Sequence, residues 1–146
     1  MPPETDLYEK DYYAWANETA AAIRSGEFCR IDTIALADEV ADIARQEKRS
    51  LRSRLEVLIS HLLKWDYQDK KRTRSWAAII AVQRIRAFKL LNDSPSLTPW
   101  LSENLAAMYE VAVQLAVRDT GKSQDSFPPA CPCTLDEILS LKRVDL

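Results

Sequence analysis

Glycine is almost missing from this chain. Its 146 residues hold two, Gly26 and Gly121, and the segment 27–94 contains neither glycine nor proline. Folds built from strands and tight turns need such punctuation, so its scarcity excludes them and predicts an all-α protein. Long apolar runs are also missing. None approaches the roughly 18 residues that a membrane-spanning helix requires, so no membrane role is expected. The opening Met1-Pro2-Pro3-Glu4-Thr5-Asp6 is polar and acidic, which does not fit a secretory leader. Histidine occurs once, as His61. A ferritin-like di-iron centre needs two Glu-x-x-His pairs on facing helices, so that class is excluded. Three cysteines is an odd number, and Cys131 and Cys133 stand too close for an easy disulfide. A reducing cytoplasm is the expected compartment. Cys-Pro-Cys is not a usual zinc knuckle and Cys29 is distant in sequence, so no metal and no cofactor are expected. No zinc-finger spacing, RNA-recognition signature or phosphate-binding glycine loop is present.

What is present reads as helices. After Thr5 or Asp6, the residues Tyr8, Tyr12, Trp15, Thr19 and Ala22 recur at spacings of four and three, which predicts one helix ending at Gly26. Asp32 is a natural N-cap for a second helix. Its apolar seam runs Leu36, Val40, Ile43, Leu51, Leu55, Leu58, Leu62 and Trp65, with Glu47 filling the gap. A straight helix of that length would span roughly 50 Å. It either bends near residues 45–50, where the seam turns polar, or stays continuous with its ends covered by a partner chain. A third helix is predicted from Arg74 to Leu91, with Trp76, Ile79, Ile80, Gln83, Ala87 and Leu90 on its face. Ser94 as cap and Pro95 at a first helical position open a fourth, Leu97 to Arg118, stopped by Gly121. Residues 121–133 form a proline-rich connection. Thr134 with Glu137 is a capping box starting a tail helix over 134–141. The expectation is a four-helix up-down bundle in a single domain, with a very long second helix, a short C-terminal capping helix and a flexible segment 1–6.

Charge is unevenly spread. Residues 1–47 carry 4 Lys/Arg against 11 Asp/Glu, residues 48–89 carry 12 against 3, and residues 90–146 carry 4 against 8. A near-neutral total hides a basic middle between acidic flanks. Lys48, Arg49, Arg52, Arg54, Lys64 and Arg74, beside Trp65 and Trp76, could neutralise phosphates while the indoles stack unpaired bases. Alternatively, the basic middle pairs with the acidic first third, within one chain or across a dimer. His61 is the one candidate acid–base catalyst. Its place among Leu58, Leu62 and Trp65 equally suits a hydrogen-bonded core histidine. A carboxylate at the seam position of Glu47 must be exposed or paired, with Arg54 or Arg74 as partners. Glu39, Glu47, Arg54 and Gln83 are the expected structural polar network. The acidic row Asp38, Glu39, Asp42 reads as a solvated face.

Several motifs carry a family likeness. They are Leu7-Tyr8-Glu9-Lys10-Asp11-Tyr12-Tyr13-Ala14-Trp15, Leu36-Ala37-Asp38-Glu39-Val40, Glu47-Lys48-Arg49, His61-Leu62-Leu63-Lys64-Trp65 and Arg74-Ser75-Trp76. Ser94-Pro95-Ser96-Leu97, Phe127-Pro128 and Cys131-Pro132 complete the order. Together they resemble a bacterial family called domain of unknown function twenty-nine, over about Leu7 to Leu139. The resemblance implies an all-α fold and a bacterial source, and it brings no activity. It adds Asp11 to the polar residues of interest.

The leading functional expectation is a non-enzymatic interaction module that self-associates, first as a dimer, through a helix too long for its neighbours to cover. Single-stranded RNA binding along 48–74 is the alternative. An enzyme using His61 is a second alternative. No small-molecule ligand is identified.

Overall fold

The computed structural model describes residues 5–140. Most of the expected flexible N-terminus, residues 1–4, and the expected end of the tail helix at Leu141 lie outside the described residues. The fold is all-α. Among the described residues six helices form and no strand does: α1 (Thr5–Lys10), α2 (Tyr12–Ser25), α3 (Thr33–Tyr67), α4 (Arg74–Asp93), α5 (Leu97–Thr120) and α6 (Leu135–Leu139). The chain divides into two compact units, Met1–Gln46 and Glu47–Leu146. Helix α3 supplies residues to both. It is one uninterrupted α-helix of 35 residues, so the polar stretch 45–50 does not break it. With no glycine or proline inside it, every interior amide can keep its i→i−4 partner.

In the first unit the expected single N-terminal helix is split. Asp11 leaves helical geometry at φ −147°, ψ 84° and its carboxylate accepts the Ala14 N–H at 3.0 Å. A short aspartate side chain competes here with the backbone ladder, and it starts α2 as a cap instead of continuing α1. Gly26 ends α2 at φ 77°, a left-handed position that glycine takes without steric cost. Asp32 caps α3 as expected, accepting the Ala35 N–H at 3.1 Å. Trp15, Ala22, Ile31 and Ala35 are buried. Tyr8 sits edge-on to Trp15, ring centroids 4.6 Å apart. Both Tyr8 and Tyr12 donate their hydroxyls to the Glu39 carboxylate, one to each oxygen. Those hydrogen bonds to an anion hold the Tyr8 hydroxyl proton, raising its pKa to about 12. Thus α3 turns Ala35 and Glu39 toward α1 and α2. The apolar line through Val40 and Ile43 lies on another side and is exposed.

The second unit holds the larger core. Leu51, Leu55, Leu58, Ile59, Leu62 and Leu63 of α3 meet Ile80 and Ala87 of α4, Leu101, Met108, Ala112 and Ala116 of α5, and Ile138 of α6. The α4–α5 corner differs from expectation. Ser94 closes α4, its N–H donating to Leu90 O at 2.8 Å, and Ser96 occupies the cap position of α5. Ser94 and Pro95 lie in the turn between, because α4 runs two residues further than its apolar spacing predicts. Gly121 ends α5 at φ 71°. Residues 127–133 are irregular, as their prolines require. Phe127 is buried there, and Tyr109 donates its hydroxyl to Pro128 O at 2.5 Å.

Helix α6 is too short to hold itself. Thr134 accepts the Glu137 N–H at 3.2 Å at its start. At its end stands Arg84, a charged side chain only 2% exposed. Its guanidinium donates to Ile138 O at 2.8 Å and reaches Glu137 O at 3.5 Å. Last-turn carbonyls lack intrahelical donors and carry partial negative charge, so a cation there satisfies both needs. Replacing Arg84 by Met should therefore cost about 3 kcal/mol and raise amide exchange across Leu135–Leu139 toward that of unprotected chain. A loss within about 0.5 kcal/mol in urea denaturation, typical of surface positions, would show that Arg84 does not hold α6.

Candidate functional site

The second half of α3 concentrates the polar groups of the larger unit. Lys64 is buried, 4% exposed, on α3. Its ammonium donates to Asp119 Oδ2 on α5 at 3.1 Å and to His61 Nε2 at 3.3 Å. It also lies 5.4 Å from the centroid of the Trp76 ring on α4. One side chain therefore ties three helices. The tautomer of His61 follows from its partners. Nδ1 lies 2.9 Å from Val57 O, which can only accept, so Nδ1 carries the proton and Nε2 is free to accept from Lys64. Ser60 Oγ donates to the same Val57 carbonyl at 3.1 Å. Both ring nitrogens of His61 are thus used inside the chain.

Burial pushes the His61 pKa below its usual 6.5, and the neighbouring Lys64 ammonium adds to that. The Val57 carbonyl and the Asp119 carboxylate act in the opposite sense. Asp119 is pushed up by burial, but Lys64 and Arg118 more than offset this and hold it below 3.8.

The remaining basic residues divide by role. Arg72 donates to Trp65 O at 2.8 Å and Lys122 to Tyr67 O at 3.1 Å. Both are cations on carbonyls at the C-terminus of α3, where the helix dipole favours them. Trp100 of α5 has Lys48 at 4.9 Å and Arg52 at 5.2 Å from its ring centroid, and Arg72 covers Trp65 at 4.9 Å. Trp65, Trp76 and Trp100 thus each have a cation of the same chain over the ring. Arg54 is half-buried and reaches Gln83 Oε1 at 3.5 Å. Glu47 Oε2 accepts from Ser94 Oγ at 3.4 Å. Arg54, Glu47, Arg86, Lys89 and Asp93 line an open groove of about 340 Å³ on the larger unit. Arg49 and Arg74 are exposed. Among the described residues none of Lys48, Arg49, Arg52, Arg54 and Arg74 forms an ion pair.

The polar residues named from sequence thus fall into separate places. Glu39 meets Tyr8 and Tyr12 in the smaller unit. Arg54 meets Gln83, and Glu47 meets Ser94, in the larger. His61, Lys64 and Trp76 do come together. Asp119 and Arg84 escape sequence reasoning. Asp119 lies 55 positions from Lys64 and carries no local mark. Arg84 does carry one, since it interrupts the apolar row Ala77, Ile80, Ala87 and Leu91 at helical spacing.

Among the described residues no three His, Cys, Asp or Glu side chains converge to hold a metal. Nor is any described helix long and apolar enough to cross a membrane. The architecture is that of an all-α protein whose larger unit carries a Lys–His–Asp cluster, with Lys64 and His61 buried and Asp119 at the surface. A family model, Domain of unknown function DUF29, matches residues 7–143, and the chain belongs to that family. No curated protein and no solved structure gives a match.

The cluster has a pH signature. The folded state disfavours protonated His61, so the unfolded chain takes that proton first. Stability from this group is complete above pH 6.5 and is lost as pH falls through 6.5 toward the lower folded value. Asp119 adds a second loss below pH 3.8. Urea unfolding between pH 8 and pH 3 should show both windows, and His61→Gln should remove the upper one alone. Equal pH dependence above 4 in the two proteins would dissociate His61 from the effect.

Proposed function

We propose that this chain is a non-enzymatic helical interaction module that pairs with a second copy of itself through α3. One observation carries the proposal. The helix line that the core buries at Leu51, Leu55, Leu58 and Leu62 continues at Val40 and Ile43, which are 57% and 67% exposed. Covering two such side chains is worth roughly 1.5–3 kcal/mol each. Charge favours a second copy as the cover. The first unit holds 4 Lys/Arg against 10 Asp/Glu and the second 16 against 12. Each copy therefore offers an acidic surface and a basic one. Bringing the acidic unit of one copy to the basic unit of another relieves like-charge repulsion in both.

Light scattering at micromolar concentration should return twice the 16.7 kDa chain mass. The double variant Val40→Asp, Ile43→Asp should shift it to monomer with an unchanged helical circular dichroism spectrum. A wild-type chain that is a monodisperse monomer would remove the proposal.

Lys48, Arg49, Arg52, Arg54 and Arg74, which form no ion pair among the described residues, support a second reading, single-stranded nucleic-acid binding along 48–74. The cations already seated over Trp65, Trp76 and Trp100 weigh against base stacking there. The second reading requires a labelled oligonucleotide to be retained at low salt, with log affinity falling linearly in log salt. A flat titration at low salt removes it.

A further inference from the structure

The smaller unit contains a cavity of about 330 Å³, within the size range of small-molecule sites. Helix α2 builds one side of it. Trp15, Glu18, Thr19 and Ala22 recur there at spacings of three and four, so they share a face. Two polar groups on that face are left open by the fold. Trp15 is only 6% exposed and Thr19 only 7%. Among the described residues neither the Trp15 indole N–H nor the Thr19 hydroxyl has a hydrogen-bond partner, yet neither is sealed from solvent. Both residues line the cavity, so these groups open onto it. Side chains buried to this degree ordinarily have partners for their polar atoms within the chain. Charge at the cavity is unbalanced as well. Glu18, Glu27 and Asp32 line it against a single cation, Arg30. Arg30 answers Glu27 at 2.9 Å, and Asp32 keeps its charge while capping Ala35. The lining is therefore net negative.

We infer that this cavity binds a small primary amine that carries an acceptor oxygen close to the amine, as an amino amide does. Each part of that chemistry answers a group in the lining. The indole N–H can only donate, so the occupant must bring an acceptor, while the Thr19 hydroxyl can give or take. The carboxylate surplus calls for a cation, and an ammonium group donates up to three hydrogen bonds to it. Leu7, Ala21 and Ala22 offer apolar contact to the remainder of the molecule. A ligand carboxylate would meet Glu18 and Asp32 as a like charge, so the amide is favoured over the free amino acid. The cavity lies wholly within the smaller unit, so binding there is independent of self-association.

The test titrates the full ¹⁵N-labelled chain with L-leucinamide at about pH 6.5, where its amine is protonated. The chain has four tryptophans, and Trp15→Phe identifies which indole signal belongs to Trp15. That signal should move saturably. N-acetyl-L-leucinamide, which lacks the cation, and L-leucine, which adds a carboxylate, should each bind about tenfold more weakly or not at all. Thr19→Val keeps the volume and removes the hydroxyl, and should weaken leucinamide binding about fivefold. Because Thr19 is buried, Glu18→Gln at an exposed position provides a second variant whose folding is not in question. It should weaken binding as well, with an unchanged circular dichroism spectrum. A Trp15 signal that stays still up to about 50 mM leucinamide would overturn the inference. So would equal shifts with all three compounds, or an unchanged midpoint in Glu18→Gln.

Discussion

An ammonium group taken out of water costs several kcal/mol unless its donors find acceptors. Lys64 finds them on three helices: the imidazole of His61 one turn back, the carboxylate of Asp119 on α5 and the π face of Trp76 on α4. Much of the larger unit follows from this. Asp119 stands in the last turn of α5, so α5 must run to Thr120 before Gly121 stops it. Trp76 stands in the first turn of α4, so the connection after Tyr67 must be short. Arg72 and Lys122 close the same corner by taking the carbonyls left open at the end of α3. Arg84, itself buried, does for α6 what these cations do for α3. The unit is thus held by apolar packing in its middle and by cations on helix ends at its margins.

This changes what the basic stretch means. Read along the chain, residues 48–74 look like one charged surface. In three dimensions they serve several ends. Lys64 is internal, Arg72 caps a helix, and Lys48 and Arg52 cover Trp100. His61 sits among them with both nitrogens occupied, which makes it a bridge between Val57 and Lys64. Apolar side chains stand exposed at Val40 and Ile43 on α3 and at Val82, Ile85 and Phe88 on α4.

The helices were legible because their signals are local. Glycine at Gly26 and Gly121 marks left-handed stops and aspartate at Asp32 marks a start, whereas the continuity of α3 through residues 45–50 stayed open in sequence and was settled by the fold. The split at Asp11 was not legible, since a capping aspartate and an exposed helical aspartate look alike in sequence. The start of α5 at Leu97 was legible, but its cap at Ser96 instead of Ser94 was not, because helix ends depend on a balance of one or two hydrogen bonds. Of the central cluster, His61, Lys64 and Trp76 could be named but not assembled.

Composition and spacing by themselves determined the all-α class, the position of nearly every helix and the charge division, while the family rested on the likeness of several motifs in linear order. Those are properties of single segments, set by backbone sterics and side-chain periodicity within a few residues. Only the tertiary structure decided which apolar residues are covered. The seam is apolar in sequence on both sides of Glu47, yet the larger core meets it from Leu51 onward, while α1 and α2 approach α3 beside it. It also decided that Lys64 is internal and that Arg84 holds α6. Burial and pairing depend on residues that lie 50 or more positions apart, and no local pattern encodes which of them will meet.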